Sequence, residues 1–135
     1  MTESTRMNGL NRKNNAKNRK SLFVDITYSR GIVKAFIVGP RVGEREATVV
    51  ANAINAKLKE YGKKVNSLVL DFSDVQFVSS LGLGMCIDVR NTAEQYQAST
   101  TISGLASYLQ ELFVMMRLDR LFVIEQADVR YDSAA

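Results

Sequence analysis

The chain has 135 residues, enough for one domain with a sheet and several helices around a single core, and its 46% hydrophobic and 24% charged residues are ordinary for a globular protein. It has no histidine and a single cysteine, Cys86, which excludes Ser-His-Asp and Cys-His mechanisms, histidine-ligated zinc, an internal disulfide and a cysteine-rich metal cage. The formal charge of +4 is unevenly spread: residues 1–20 carry six Lys or Arg against Glu3, hence +5, and residues 21–135 carry twelve against thirteen, hence −1, too near neutral for a basic face that would bind nucleic acid.

The first segment, residues 1–20, is polar and asparagine-rich (NGLNRKNNAKNRK), with too few apolar members to offset the entropy of ordering. It reads as a disordered basic tail, the alternative being a basic arm that touches nucleic acid, an anionic membrane surface or an acidic partner. It has no apolar stretch ahead of a cleavage site, so it is no secretory signal. The longest apolar runs, such as Ile32 to Val38 interrupted by Lys34, are far shorter than the roughly 20 residues that cross a bilayer. No membrane span is expected, and the expected location is cytoplasmic.

From Ser21 the pattern becomes regular. SLFVDITYS alternates Leu22, Val24, Ile26 and Tyr28 on one face, a half-buried strand. Arg30-Gly31 turns the chain into IVKAFIV, a second strand stopped by Gly39-Pro40, and the two predict a hairpin. Beyond Gly43 the period lengthens: Ala47, Val50, Ile54, Leu58 and Tyr61 predict an amphipathic helix ended by Gly62. SLVLDF is a continuous apolar run of the kind a central strand shows when covered on both faces. A second helix is predicted from about Leu81 to about Gln97 with Leu83, Cys86, Ile87, Arg90, Ala93 and Glu94 at helical spacing, and Cys86 reads as a small buried apolar residue.

The short strand STTIS is broken by Gly104, and Ser107 with Gln110 fits a capping box opening a third helix through LQELFVMM. Leu109, Leu112, Phe113 and Met116 read as core. LDRLFVI is a last strand, and residues 127–135 are a polar end. The order predicts an α/β fold, a mixed sheet with crossover helices mainly on one face.

No enzyme signature assembles. GPRVG at 39–43 lacks the ending of a phosphate-binding P-loop, and GLG at 82–84 is too short for a dinucleotide fingerprint. Asp71 and Asp74 read as paired carboxylates or as loop chemistry, and the strand end at Asp71 and the Ser73-Asp74 pair favour the loop. The remaining feature is FVSSLGLG, residues 77–84. Ser80, at or beside a helix N-cap, either caps that helix or accepts a phosphate, which the positive helix end tolerates. From Asp71 to Val89 there is no Arg or Lys, so a phosphate there would lack a local counter-charge and act on whatever docks; Gly82 and Gly84 would let another protein's backbone approach.

LVLDFSDVQFVSSLGLG, preceded by a strand ending at Val38-Gly39 and followed by RLDRLFVI, resembles the STAS domain of bacterial anti-sigma factor antagonists over roughly residues 21–126. The resemblance implies a sheet of four or five strands with helices mainly on one face. It implies a protein-binding module with no catalysis and no cofactor. It further implies that Ser80 is phosphorylated by a partner anti-sigma factor that is itself a serine kinase, with Ser79 as the alternative acceptor. The unphosphorylated form would bind that kinase and the phosphorylated form would leave it, until a phosphatase acting on phosphoserine resets the switch. Asp71, Ser79, Ser80, Leu81, Gly82, Leu83 and Gly84 are the expected partner-binding residues, with no metal ligand among them and no specific nucleic acid as partner. Two residues depart from the family pattern: Ser79 stands where Asp is frequent, and Leu81 stands where a small residue is usual. The alternative function is a constitutive STAS scaffold or a regulatory subunit of a stress-sensing or lipid-transport assembly, and a homodimer is left open.

Overall fold

The computed structural model describes residues 22–126; the readings of residues 1–20 as a tail and 127–135 as a polar end lie outside the described residues. Within the described residues, seven strands and three helices follow one another in the order β1 (Val24–Ser29), β2 (Ile32–Ile37), β3 (Arg41–Val42), α1 (Glu44–Tyr61), β4 (Ser67–Asp71), β5 (Phe77–Val78), α2 (Ser80–Gln95), β6 (Ser99–Leu105), α3 (Ser107–Met115) and β7 (Val123–Gln126). Short 3₁₀ turns at Gly62–Lys64 and Leu118–Arg120 lead into β4 and β7.

β1 and β2 form the predicted hairpin, antiparallel with Ser29 opposite Ile32. The two residues between them, Arg30 and Gly31, both have positive φ, 52° and 84°, which gives the turn the handedness that matches strand twist. Gly31 is required there twice over, since a Cβ on it would also meet the Asn66 side chain at 2.4 Å. The main sheet runs β1-β2-β4-β6-β7, with β2, β4, β6 and β7 parallel. Each parallel step is bridged by a helix, as the geometry of parallel pairing demands.

Side-chain alternation decides which face is covered. Val33, Leu68 and Thr100 share one register row and Ala35, Leu70 and Ile102 the next, all buried beneath the helices. Their neighbours Lys34, Val69 and Thr101 point to the other face and retain exposure. The mixed sheet with helices on one face is therefore as expected, but β4 corrects the sequence reading. It is central and is covered on one side only, because α1 and α2 pack side by side on the same face.

Four local expectations are also overturned. The second helix buries Leu83, Met85, Cys86, Val89, Thr92 and Ala93, while Arg90 and Glu94, placed on the stripe from spacing, form an ion pair at 3.0 Å nearer the surface. Gly104 does not end its strand; β6 passes through it to Leu105, with an irregularity in its pairing to β7. The capping box at Ser107 does not form, since Ala106 is the N-cap of α3 and makes no side-chain cap. Of the α3 core set, Leu109 and Phe113 are buried but Met116 is exposed, because the helix ends at Met115 and the chain turns away through Arg117 in the left-handed region.

Candidate functional site

Two strands too short to be recognised by periodicity build the site. β3 and β5 pair in parallel, Arg41 with Phe77 and Val42 with Val78. The amides of Gln76 and Phe77 both donate to the Pro40 carbonyl at 2.8 Å, and the Ser79 amide donates to the Val42 carbonyl at 3.0 Å. This small sheet brings the chain to Ser79 in an extended conformation (φ −79°, ψ 173°), the backbone an N-cap needs.

The two serines then separate. Ser79 is the cap: its Oγ accepts from the Gly82 amide at 3.1 Å, and its carbonyl accepts from the Leu83 amide at 3.0 Å. Ser80 is the first residue of α2 and is exposed. In an α-helix the amides of the first residues have no intrahelical acceptor, so those of Ser80 and Leu81 contribute to the positive end of the helix. No acidic residue stands in that first turn.

The glycines also differ from each other, and here the reading of Gly82 is corrected. A Cβ on Gly82 would lie 2.7 Å from the Val42 carbonyl oxygen and 2.7 Å from Val78 Cγ1. Its missing side chain lets α2 approach β3 and β5 within the molecule, and is not a gap left for a partner. Leu83 is likewise buried, packed into the core. Gly84 is exposed, and a Cβ added to it would have nothing within 4 Å. Of the seven expected partner-binding residues the structure therefore brings Ser80, Leu81 and Gly84 to the outer surface, with Ser79 partly covered and Gly82 and Leu83 beneath.

Asp71 lies apart from that surface, at the end of β4. Its Oδ1 accepts from the Ser73 amide at 2.9 Å, and Lys34 Nζ stands 3.8 Å from its Oδ2. Asp74 Oδ2 accepts from the Gly39 amide at 2.7 Å, tying the loop to the end of β2. Both carboxylates thus hold loops, as short acidic side chains do in turns. Among the described residues no group of three or more His, Cys, Asp or Glu could hold a metal ion.

Sequence spacing missed two residues. The Arg41 guanidinium lies over the Phe77 ring, 4.5 Å from its centroid, so a cation stands on the strand next to the FVSS segment although none occurs within it. Tyr108 of α3 donates its hydroxyl proton to the Gln76 carbonyl. Phe77, Leu81 and Tyr108 are 43%, 54% and 55% exposed, large apolar side chains around the start of α2. The register of β3 on β5 was the only signal able to join Arg41 to Phe77, and two-residue strands carry no pattern.

A family model described as "Mlab, STAS domain" matches residues 41–125. No curated protein matches the chain. Solved structures do. An anti-sigma-factor antagonist (STAS) domain protein from Planctomyces limnophilus superposes with a TM-score of 0.68 at 14% identity, over 82% of this chain and 95% of that one. The Bacillus cell fate determinant SpoIIAA in its phosphorylated form gives 0.60 at 12% identity, over 83% and 99%. The murine solute carrier 26 family member A9 anion transporter gives 0.58 at 16% identity, over 81% of this chain and 19% of the transporter. At such identities the likeness is one of fold, and it agrees with the family match, which spans most of the described chain. By that match and that fold, the chain belongs to the STAS domain family.

Proposed function

We propose that the protein is a regulatory binding module, an anti-sigma factor antagonist whose association with a serine-kinase anti-sigma factor is switched off by phosphorylation of Ser80. The observation that carries this reading is the division between the two serines: Ser79 is engaged as the cap, and Ser80 is exposed at the first position of a 16-residue helix. In the modification the Ser80 Oγ attacks the γ-phosphorus of the kinase-bound ATP, the hydroxyl proton is lost to a base on the kinase, and ADP leaves. The product carries close to two negative charges at neutral pH. The helix end stabilises them without burying them. A partner closing over Leu81, Gly84 and Phe77 would then have to desolvate that dianion, which is costly unless it is matched by opposite charge. A phosphatase acting on phosphoserine restores binding. Ser79 is the weaker acceptor, because its modification would also disrupt the cap.

A second reading is favoured by the apolar side chains themselves. Phe77, Leu81 and Tyr108 ring the same helix start, and exposed aromatic and aliphatic groups of this size are what a permanent interface buries. In that case the module is a constitutive subunit of a larger assembly, a homodimer included. Binding of purified full chain to its native partner separates the two. Under the first, Ser80→Asp weakens binding at least tenfold and Ser80→Ala leaves it within about twofold, a difference on the order of 1.4 kcal/mol. Equal binding by both variants, in an assembly indifferent to phosphatase, supports the permanent subunit and rejects the switch.

A further inference from the structure

Where the last turns of α2 pass over the start of β6, beside the turn that leads into β7, a pocket of roughly 210 Å³ opens. Arg90 and Glu94 of α2, Ser99 and Thr100 of β6, and Arg120 of the turn line it. Thr100 belongs to a register row that faces the helices and is only 4% exposed, yet its Oγ1 has no hydrogen-bond partner among the described residues. Buried hydroxyls are almost always paired, so an orphan in the wall of a pocket points to a ligand that supplies the missing partner.

We infer that the pocket binds a phosphoryl group, as inorganic phosphate or as the head of a phosphate monoester. The charges select an anion. Arg90 Nη2 donates to Glu94 Oε2 at 3.0 Å and Nη1 to Asn91 Oδ1 at 3.2 Å, which leaves other N–H donors of the guanidinium for a ligand. Glu94 is thereby matched, and Arg120 gives the pocket a positive excess. A cation would meet a single carboxylate that is already paired. An apolar ligand would cover both guanidinium groups and the Thr100 hydroxyl without satisfying them. A phosphoryl group brings three acceptor oxygens to two guanidinium groups and one hydroxyl, a geometry that arginine forks match and that a two-oxygen carboxylate fills less completely. The negative end of α2 lies close by, so the attraction comes from the side chains and not from the helix.

Leu121 and Val123 line the same pocket, and Val123 is exposed. They offer an apolar shelf to the organic part of a monoester, which inorganic phosphate would leave uncovered. Arg120 is itself exposed, so screening keeps the expected affinity on the order of millimolar.

The test titrates isotope-labelled full chain with sodium phosphate, ionic strength being held constant with sodium chloride, and follows the backbone amide shifts. Saturable shifts are expected at Glu94, Thr100 and Leu121, while Ser80 and Gly84 at the other end of α2 stay in place. Arg120→Gln is expected to weaken binding at least about fivefold. Thr100→Val keeps the shape and removes the hydroxyl, and is expected to weaken binding by a similar factor. Without phosphate that variant should be at least as stable as the parent in denaturant melts, since it removes an unpaired buried group; its loss of binding is then no loss of fold. Phenyl phosphate separates the two sources: an affinity equal to that of inorganic phosphate assigns the site to the free ion, and one about tenfold tighter assigns it to a monoester. Shifts that never saturate, that sodium chloride alone reproduces, or that either variant leaves unchanged overturn the inference. No kinase is in the sample and Ser80 opens the far end of α2, so this result and the proposed switch stand or fall separately.

Discussion

Removing the hydroxyl of Ser79 takes an acceptor from the Gly82 amide, which sits under the helix start with no other partner in the first turn; removing that of Ser80 takes away only an exposed group. Ser79→Ala is therefore expected to cost about 1 kcal/mol of stability, and Ser80→Ala to stay within about 0.5 kcal/mol of the parent in denaturant melts. The glycines give a second contrast of opposite sign. Gly82→Ala drives a methyl into the Val42 carbonyl and is expected to destabilise by about 1–3 kcal/mol. Gly84→Ala meets nothing and trades a flexible helix residue for the best helix former, with an expected gain of about 0.5–1 kcal/mol. Equal effects at the two glycines would mean that α2 does not lie against β3 as described.

At the scale of elements, α1 starts without a hydroxyl cap. Gly43 is its N-cap, and the Glu46 carboxylate reaches back to accept from the Gly43 amide at 2.9 Å, half of the reciprocal arrangement found at helix starts. Hydrogen bonds from its own backbone and from that of Gly43 hold the Glu46 carboxyl below its ordinary value of 4.5. A lowered folded pKa means that the cap contributes fully above the ordinary carboxylate value and fades as pH falls through the folded one. Glu46→Ala should thus melt below the parent near neutral pH, with the gap narrowing as pH is taken down to about 3. A gap constant over that range would show that the carboxylate charge does not hold this helix end. The same scale explains why the site was only half legible. Long periodic stretches announce α1, the hairpin and β4, but β3 and β5 are two residues each, and it is their pairing that sets Arg41 beside Phe77 and Ser79 at the cap.

For the whole molecule, the legible part was the part made of repetition. Alternation in β1 and β2, the helical stripe of α1 and the order of the elements led to a mixed sheet with helices on one face, and LVLDFSDVQFVSSLGLG with RLDRLFVI led to the STAS family. What spacing could not settle was which face of each element is covered. Arg90 and Glu94 share a stripe with Ala93 yet pair at the surface, Met116 falls past the end of its helix, and Val69 lies on the open side of β4. Those outcomes depend on neighbours distant in the chain. The groove between α1 and α2, walled by Ala47, Ala51, Leu81 and Met85 among others, is of the same kind, since neither wall is unusual alone and only their juxtaposition opens it. A molecule so arranged exposes Phe77, Leu81 and Tyr108 around the start of α2, the end to which the proposed function assigns binding.

In the proposed function, binding at that end turns on Ser80 as the switched group. Incubating the full chain with the proposed serine-kinase anti-sigma factor and ATP, then locating the added phosphate by fragmentation mass spectrometry, puts the switch to the test without any variant of the partner. A single phosphate is expected on Ser80, absent from Ser80→Ala and retained in Ser79→Ala; a chain left unmodified between Phe77 and Gly84 by a kinase that binds it would contradict the switch.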